Sequence, residues 1–554
     1  MALTGRHRPS AGHAFSPYDA VLRAAAPRLA RRRLLTVTAA AAALAFSTHL
    51  PARGAAAAPE LEAARIPDDP FTLGVASGDP LPESVVLWTR LAPEPFEADG
   101  GLGRRRVLVR WEVALDEGFA VVVRRGAALA HPEYGHSVHV DVEGLSPGSE
   151  YYYRFRAGGH ISPTGRTRTA PAEGAPTAGL RLAAVACQAY QDGHYTVHGH
   201  LAQEDVDLVL HLGDYLYEYP VDSAGGQRGY PDGTLPGVFD REPLTLADYR
   251  LRYALYKSDP DLRAAHAAHP FVVTWDDHEV ENDYAGARDE NGSPPEQFLL
   301  RRAAAYRACW ENQPLRSGQM PQGPDALLYR RLHWGSLAQF DILDTRQYRS
   351  DQAYDGRPHA PGPESDDPAR TLTGAEQERW LLDGWRASEA LWNVMPQQVC
   401  FAQRKFGPAA QARVSMDAWD GYRASRDRIV AGAKAAGIDN WVILTGDVHV
   451  GCAFDIKDDF DDPRSRTLGT ELTCTSVASG GDGTDRPPDW DAYMRANPHM
   501  KFYNGRRGYV RVELGREAAR ADFRTVAAVT TPGAPVTTAA SFVTEAGSPG
   551  LKPV

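Results

Sequence analysis

Four short stretches of this chain combine residue types that bind metals. ACQAYQDG carries Cys187, and HLGDYLYE carries His211, Gly213, Asp214 and Tyr217. WDDHEVEN carries Asp276, Asp277, His278 and Asn282, and NWVILTGDVHVGC, from Asn440 to Cys452, carries Asp447 and His449. In each, the polar residues follow directly on an apolar run of strand length. Carboxylates, amides and imidazoles hold hard or borderline cations, while a thiolate and a phenolate favour an oxidised, redox-capable metal. If the chain stays extended past Gly446, Asp447 and His449 are two residues apart and leave the strand on the same side. A single Asp-x-His after a strand is a weak signal. Four such strand ends in one stretch of chain point to a multi-metal site.

The elements that must position these residues can be read from the apolar pattern. Leu180 to Ala186, Val206 to Leu212, Phe271 to Trp275, Ala338 to Leu343 and Trp441 to Leu444 are strand candidates. Leu244 to Tyr256, Pro295 to Trp310 and Gly374 to Ala390 have the length and content of helices. Strands alternating with helices predict an α/β domain over residues 180–525, with the site beyond the strand ends. Residues 66–170 read differently. Val85 to Leu91, Val107 to Leu115, Val121 to Arg124, Val138 to Val142 and Tyr151 to Phe155 are β-rich runs separated by Gly, Pro and acidic turns, which predicts a small antiparallel sandwich. Pro171 to Gly179 reads as a linker. Residues 526–554, rich in Pro, Gly, Ala and Thr from Thr530 onward, read as a tail without a strong pattern.

Length and charge narrow the function classes. A chain of 554 residues exceeds one domain, and 43% hydrophobic with 24% charged residues is ordinary for a globular protein. The first 58 residues hold eight arginines against Asp19 alone, a net of +7, which leaves −18 on the remainder of a chain whose total is −11. So acidic a body argues against nucleic-acid binding and against anionic membrane surfaces. Residues 1–58 have the plan of an export signal: Arg31, Arg32 and Arg33, then Leu34 and Leu35, a mildly apolar run to Leu50, and small residues from Ala52 to Ala58. The apolar run is too short to span a bilayer, and the arginine run resembles a twin-arginine signal. The mature chain is therefore expected to lack a membrane span and to be secreted, periplasmic or at the cell surface, after passage through twin-arginine export machinery. The five cysteines, Cys187, Cys309, Cys400, Cys452 and Cys474, form no CxxC pair, and an odd count leaves at least one thiol outside any disulfide.

The four motif segments, with LDTRQYR at Leu343 to Arg349 and SMDAWDGY at Ser415 to Tyr422, resemble the metallophosphoesterase superfamily and specifically the secreted PhoD-type alkaline phosphatases. Leu145 to Tyr153 likewise resembles the late turn and strand of a fibronectin type III domain. The resemblance implies an αββα sandwich preceded by a small all-β, fibronectin III-like sandwich. The Asp-x-His that opens general metallophosphoesterases is absent, and Cys187 stands in its place, as in the PhoD branch.

Position by position, the resemblance implies that Cys187, Asp214, Tyr217 and His449 hold one Fe3+. Asp214 would also bridge to about two Ca2+ ions, whose sites Asp277, Asn282 and Asp447 would complete. A helical arginine after the third motif would grip the phosphate. Arg301 and Arg302 both qualify, and Arg302 is preferred because it shares a helical face with Phe298 and Cys309. His278 would assist catalysis or support the site. The implied activity is hydrolysis of small phosphomonoesters and phosphodiesters by attack of a metal-bound hydroxide, by a monomer. The alternatives are a phosphodiesterase acting on phospholipids or teichoic-acid-like polymers, and a non-catalytic phosphate- or metal-binding surface protein.

Overall fold

The computed structural model describes residues 65–230, 233–407 and 411–554; the arginine-rich segment 1–58, with the proposed export signal, lies outside them. The described chain is built on two large mixed sheets. The first has ten strands, in the spatial order Ser548–Pro553, Val536–Glu545, Ala518–Val526, Gly508–Gly515, Gly179–Val185, Leu208–His211, Pro270–Val273, Val75–Leu81, Ser84–Arg90 and Ser137–Glu143. The second has seven: Arg330–Trp334, Ala338–Ile342, Trp392–Pro396, Trp441–Thr445, Thr467–Thr473, Gly451–Lys457 and Met500–Asn504.

The centre of each sheet is parallel. Leu208–His211 pairs in parallel with Gly179–Val185 on one side and Pro270–Val273 on the other. Trp441–Thr445 pairs in parallel with Trp392–Pro396 and Thr467–Thr473. Every residue of Leu208–His211 and of Trp441–Thr445 is buried, which explains why both read as unbroken apolar runs instead of alternating ones. The helices Gly374–Ala387 and Arg423–Ala436 cover one face of the second sheet through Leu381, Trp385, Ile429 and Ala433, packed on Trp441, Ile443 and Phe454. Thr196–Leu201 and Pro260–Ala268 lie against the first sheet. Ends of the two sheets meet at Thr274, whose hydroxyl donates to the Leu343 carbonyl (3.1 Å) and accepts from the Gln398 amide (2.8 Å).

The N-terminal sandwich forms as expected, with an additional feature. Val75–Leu81, Ser84–Arg90 and Ser137–Glu143 face a second antiparallel sheet built on Val107–Ala114, Val122–Ala130 and Glu150–Ala157. Val75, Val85, Leu87, Val109, Tyr153 and Phe155 are among the residues of the core between them. One of these layers is also part of the ten-stranded sheet, because Val75–Leu81 pairs in parallel with Pro270–Val273. The sequence VASGDPL hides this strand: Gly78, Asp79 and Pro80 break the β pattern, and the buried Asp79 is matched by Arg330 at 2.7 Å.

The C-terminal reading requires correction. Residues after Thr530 form a hairpin, Val536–Glu545 with Ser548–Pro553, that extends the edge of the ten-stranded sheet. Of its strand residues only Phe542, Thr544 and Leu551 are buried, so its strands lack an apolar alternation; Phe542, packed against Phe502 and Phe523, anchors it.

Candidate metal centre

The four motif stretches converge where parallel strands end. Cys187 follows Gly179–Val185, Asp214 follows Leu208–His211, Asp277 follows Pro270–Val273, and Asp447 and His449 follow Trp441–Thr445. The loops are laced together by the backbone: Cys187 donates to the Gly213 carbonyl (3.1 Å), Gln188 to that of Asp214 (3.0 Å), and Val477 to that of Cys187 (3.0 Å).

Ten non-glycine residues have positive φ among the described residues, and four of them are Cys187, Asp214, Asp447 and His449. Left-handed backbone at an ordinary L-residue costs roughly 1–2 kcal/mol, so its concentration at the candidate ligands marks a functional constraint. This corrects the expectation for the last motif. The chain does not stay extended: φ is 69° at Asp447 and 53° at His449, and Val448 turns back to donate to the Gly446 carbonyl. Gly446 is required there, since a Cβ would stand 2.6 Å from that of Ala186. His449 meets Tyr217, and Asp447 lies in the field of Asp276, Arg346, Asp417 and Asp277.

Two ligand clusters result. Cys187, Asp214 and His449 place one donor atom each within 4.8 Å of one another, and Asp214, Asp277 and His278 do the same. Asp214 belongs to both. The Tyr217 hydroxyl joins the first cluster, donating to Asp214 (2.9 Å) and lying 2.9 Å from Nε2 of His449. His278 stacks on the Tyr217 ring (centroids 4.0 Å apart), and its Nδ1 lies 2.8 Å from the Glu218 carboxylate. Asn282 is half-buried, and its side-chain NH2 donates to Glu290 at 2.8 Å, a bond that does not engage its Oδ1.

The residues present fit bound cations. Asp214 Oδ1 and Asp276 Oδ2 are buried without a hydrogen-bond partner, the arrangement that a cation would satisfy, and Asp277 Oδ1 has the Arg346 guanidinium at 3.3 Å in place of a hydrogen bond. Burial, followed by the neighbouring Asp214 carboxylate, pushes the Cys187 thiol and the Tyr217 phenol well above their ordinary values. Burial also raises Asp214 well above the usual carboxylate range. Only added positive charge returns such a set to its anionic, ligating form. Burial lowers His449 to about 3, which keeps its imidazole neutral and able to ligate. At His278 burial acts in the same direction, but Asp277, Asp214 and Glu218 together outweigh it and hold the imidazole protonated.

The structure gives each candidate arginine its own set of partners. Arg302 faces inward, as its helical register implied, but it donates to the carbonyls of Pro324 (2.9 Å) and Gly286 and to Asp325 (3.1 Å). Arg301 pairs with Glu281 (2.7 Å) and Glu242 (2.9 Å) and donates to the Tyr249 hydroxyl (3.0 Å). Both guanidinium groups are held by these partners within the protein. The arginine among the site's carboxylates is Arg346, fully buried, which contacts Asp276, Asp277 (3.3 Å) and Asp417 (2.9 Å). Both segments involved, LDTRQYR and SMDAWDGY, stand out in the sequence, but nothing in their local pattern says that they meet.

Comparison with known proteins agrees with this fold. The profile of the family described as PhoD-like phosphatase matches residues 182–523, and that of the PhoD-like phosphatase N-terminal domain matches residues 54–171. The chain is 49% identical over 487 residues to alkaline phosphatase D of Bacillus subtilis (strain 168), covering 88% of this chain and 82% of that protein. A solved structure titled "Structure of PhoD" superposes with a TM-score of 0.85 at 48% identity, covering 88% of this chain and 93% of that one. In sequence and in fold, the chain belongs to the PhoD-like phosphatase family.

Proposed function

We propose that this protein is a metal-dependent alkaline phosphatase that hydrolyses phosphomonoesters and phosphodiesters. The observation that carries the reading is Asp214, whose carboxylate is shared by two ligand clusters and keeps one buried oxygen without a hydrogen-bond partner. The name of the Bacillus subtilis relative, an alkaline phosphatase, supports it.

Cys187, Asp214, Tyr217 and His449 are the donors suited to one Fe3+. Asp214, Asp277 and Asp447, with the Oδ1 of Asn282, are suited to about two Ca2+. When bound, such cations supply Lewis-acid neutralisation of a phosphoryl group and make water in the site more acidic. The protein's own groups do the rest. Burial at the strand ends excludes bulk water, which strengthens every charge interaction with the substrate. Glu218 engages Nδ1 of His278, so Nε2 is the nitrogen left to donate a proton or hydrogen bond to a phosphoryl or leaving-group oxygen. Tyr217 fixes the plane of that ring by stacking on it. Arg346 holds Asp276 and Asp277 in place and offsets their mutual repulsion.

The protein is exported folded by the twin-arginine route and acts outside the cytoplasm as a monomer. All five cysteines are free and buried, which suits a chain delivered already folded. Among the described residues no helix is long and apolar enough to cross a membrane. Purified protein with Fe3+ and Ca2+ should release p-nitrophenol from p-nitrophenyl phosphate and from its bis ester. Failure on both substrates overturns the reading.

A further inference from the structure

Glu279 belongs to neither ligand cluster, yet it joins the loops that carry them. It is buried, and its Oε2 accepts the backbone N–H groups of Asp214 (3.1 Å) and Asp276 (2.8 Å) while Oε1 accepts that of Tyr215 (2.7 Å). Its backbone context is specific. Gly213 and Asp214 have φ of 110° and 55°, a local turn that presents successive N–H groups to one anion. The second and third motif loops touch there, since a Cβ at Gly213 would stand 2.5 Å from the Cβ of Asp276. Asp277, Val280 and Glu281 form one tight turn, with the Asp277 carbonyl accepting from Val280 (2.7 Å) and Glu281 (2.8 Å), so Glu279 reaches back from the same turn that presents Asp277.

We propose that Glu279 is a positioning residue for the metal centre. Its carboxylate clamps the Asp214 loop to the Asp276–Asp277 loop and thereby sets the spacing of the two carboxylates, Asp214 and Asp277, that share a cation. The proposal rests on the metal-dependent reading above. A carboxylate offers two acceptor oxygens to three N–H groups, whereas Gln offers one oxygen and presents an NH2 group to the remaining donors. Glu279→Gln therefore opens the clamp with almost no change in volume.

The test compares wild type, Glu279→Gln and Glu279→Asp. Calcium is titrated into chelator-treated protein by calorimetry, amide hydrogen exchange is followed at residues 214, 215 and 276, and p-nitrophenyl phosphate turnover is measured against calcium concentration. Glu279→Gln should keep the far-UV spectrum of wild type. It should exchange faster at those three amides and need roughly 10–100-fold more calcium for half-saturation, the usual loss on removing an outer support of a metal ligand. Excess calcium should restore most of kcat, with the far-UV spectrum equal to that of wild type at every calcium concentration, which sets this apart from a rescue of unfolded protein. Glu279→Asp, with its charge kept but its reach shortened, should fall between, and it carries the test if the Gln variant does not fold. A calcium midpoint equal to that of wild type in the folded variant overturns the proposal, as does exchange that rises evenly over the chain. If wild type itself neither binds calcium nor turns over substrate, the functional reading fails instead, and the three amides still report on the clamp.

Discussion

The hydroxyl of Tyr217 lies 2.9 Å from Nε2 of His449, a contact between residues 232 positions apart, while donating to Asp214 on its other side. Removing that oxygen should leave the fold intact and disable the centre. Tyr217→Phe is expected to lower turnover by roughly 100-fold or more, at or beyond the upper end of what outer supports of a metal site contribute. If the phenolate ligates Fe3+, wild type absorbs in the visible range and the variant is bleached. A coloured variant with full turnover would remove the phenolate from the reading.

Calcium should be required and exchangeable. The oxygen donors of Asp214, Asp277 and Asp447 release a hard cation more readily than a thiolate–phenolate set releases iron. A calcium chelator should abolish p-nitrophenyl phosphate hydrolysis, and added Ca2+ should restore it with iron content per chain unchanged. Full activity in excess chelator would contradict this.

Arg346 is enclosed by Asp276, Asp277 and Asp417 with no exposure to solvent. Replacement by Met leaves Asp276 and Asp277 without their counter-ion, while Asp417 keeps Arg349 at 2.5 Å; loss of one partner of a buried pair costs roughly 3–5 kcal/mol. The urea midpoint of Arg346→Met, measured in chelator, should fall accordingly, and added calcium should recover part of the loss. An unchanged midpoint would mean that the carboxylates are neutral without the arginine.

Lys257 is buried, its ammonium 4.3 Å above the Trp88 ring, and burial lowers it from 10.5 to about 7. Between about pH 7 and 10.5 the unfolded chain therefore holds a proton at this side chain that the folded chain does not, so this group makes stability rise with pH across that window, by about 1.4 kcal/mol per pH unit. Below pH 7 both states are protonated and the slope vanishes. Buried thiols such as Cys309, whose value is pushed up to about 12, act in the opposite direction, so the difference between variant and wild type isolates the lysine. Lys257→Met should be more stable than wild type at pH 7, and the gap should narrow toward pH 10. A gap independent of pH would show that Lys257 keeps its charge in the fold.

Export should depend on arginine identity as well as charge. Replacing both Arg31 and Arg32 with Lys keeps the charge of the leader but removes the feature that a twin-arginine receptor reads. Mature protein should then disappear from outside the cytoplasm, and its normal appearance there would indicate another route.

The apolar runs ending in Cys187, Asp214, Asp277 and Asp447 were legible because each is a short buried strand whose composition announces itself, and because metal-binding residue types are few. The helix Pro295–Asn312 and the inward register of Arg302 were legible for a similar reason: a 3.6-residue period is local information. What that arginine touches was not, because its partners, Gly286, Pro324 and Asp325, come from loops without a pattern. The Asp-x-His turn is not legible, because period-two reasoning assumes strand geometry, whereas Asp447 and His449 are left-handed beside a Gly446 packed against Ala186. Glu279 and Arg346 illustrate the same limit, since a buried carboxylate or guanidinium is defined by partners tens of residues away. The local chain thus determined which residues could bind metal and on which strand ends they stand. Tertiary structure alone decided that Asp214 is shared, that Arg346 and not Arg302 sits among the carboxylates, and that the sandwich and the last hairpin extend the sheet bearing the site. Those outcomes depend on the meeting of strand ends and loops distant in sequence, and no local periodicity encodes such meetings.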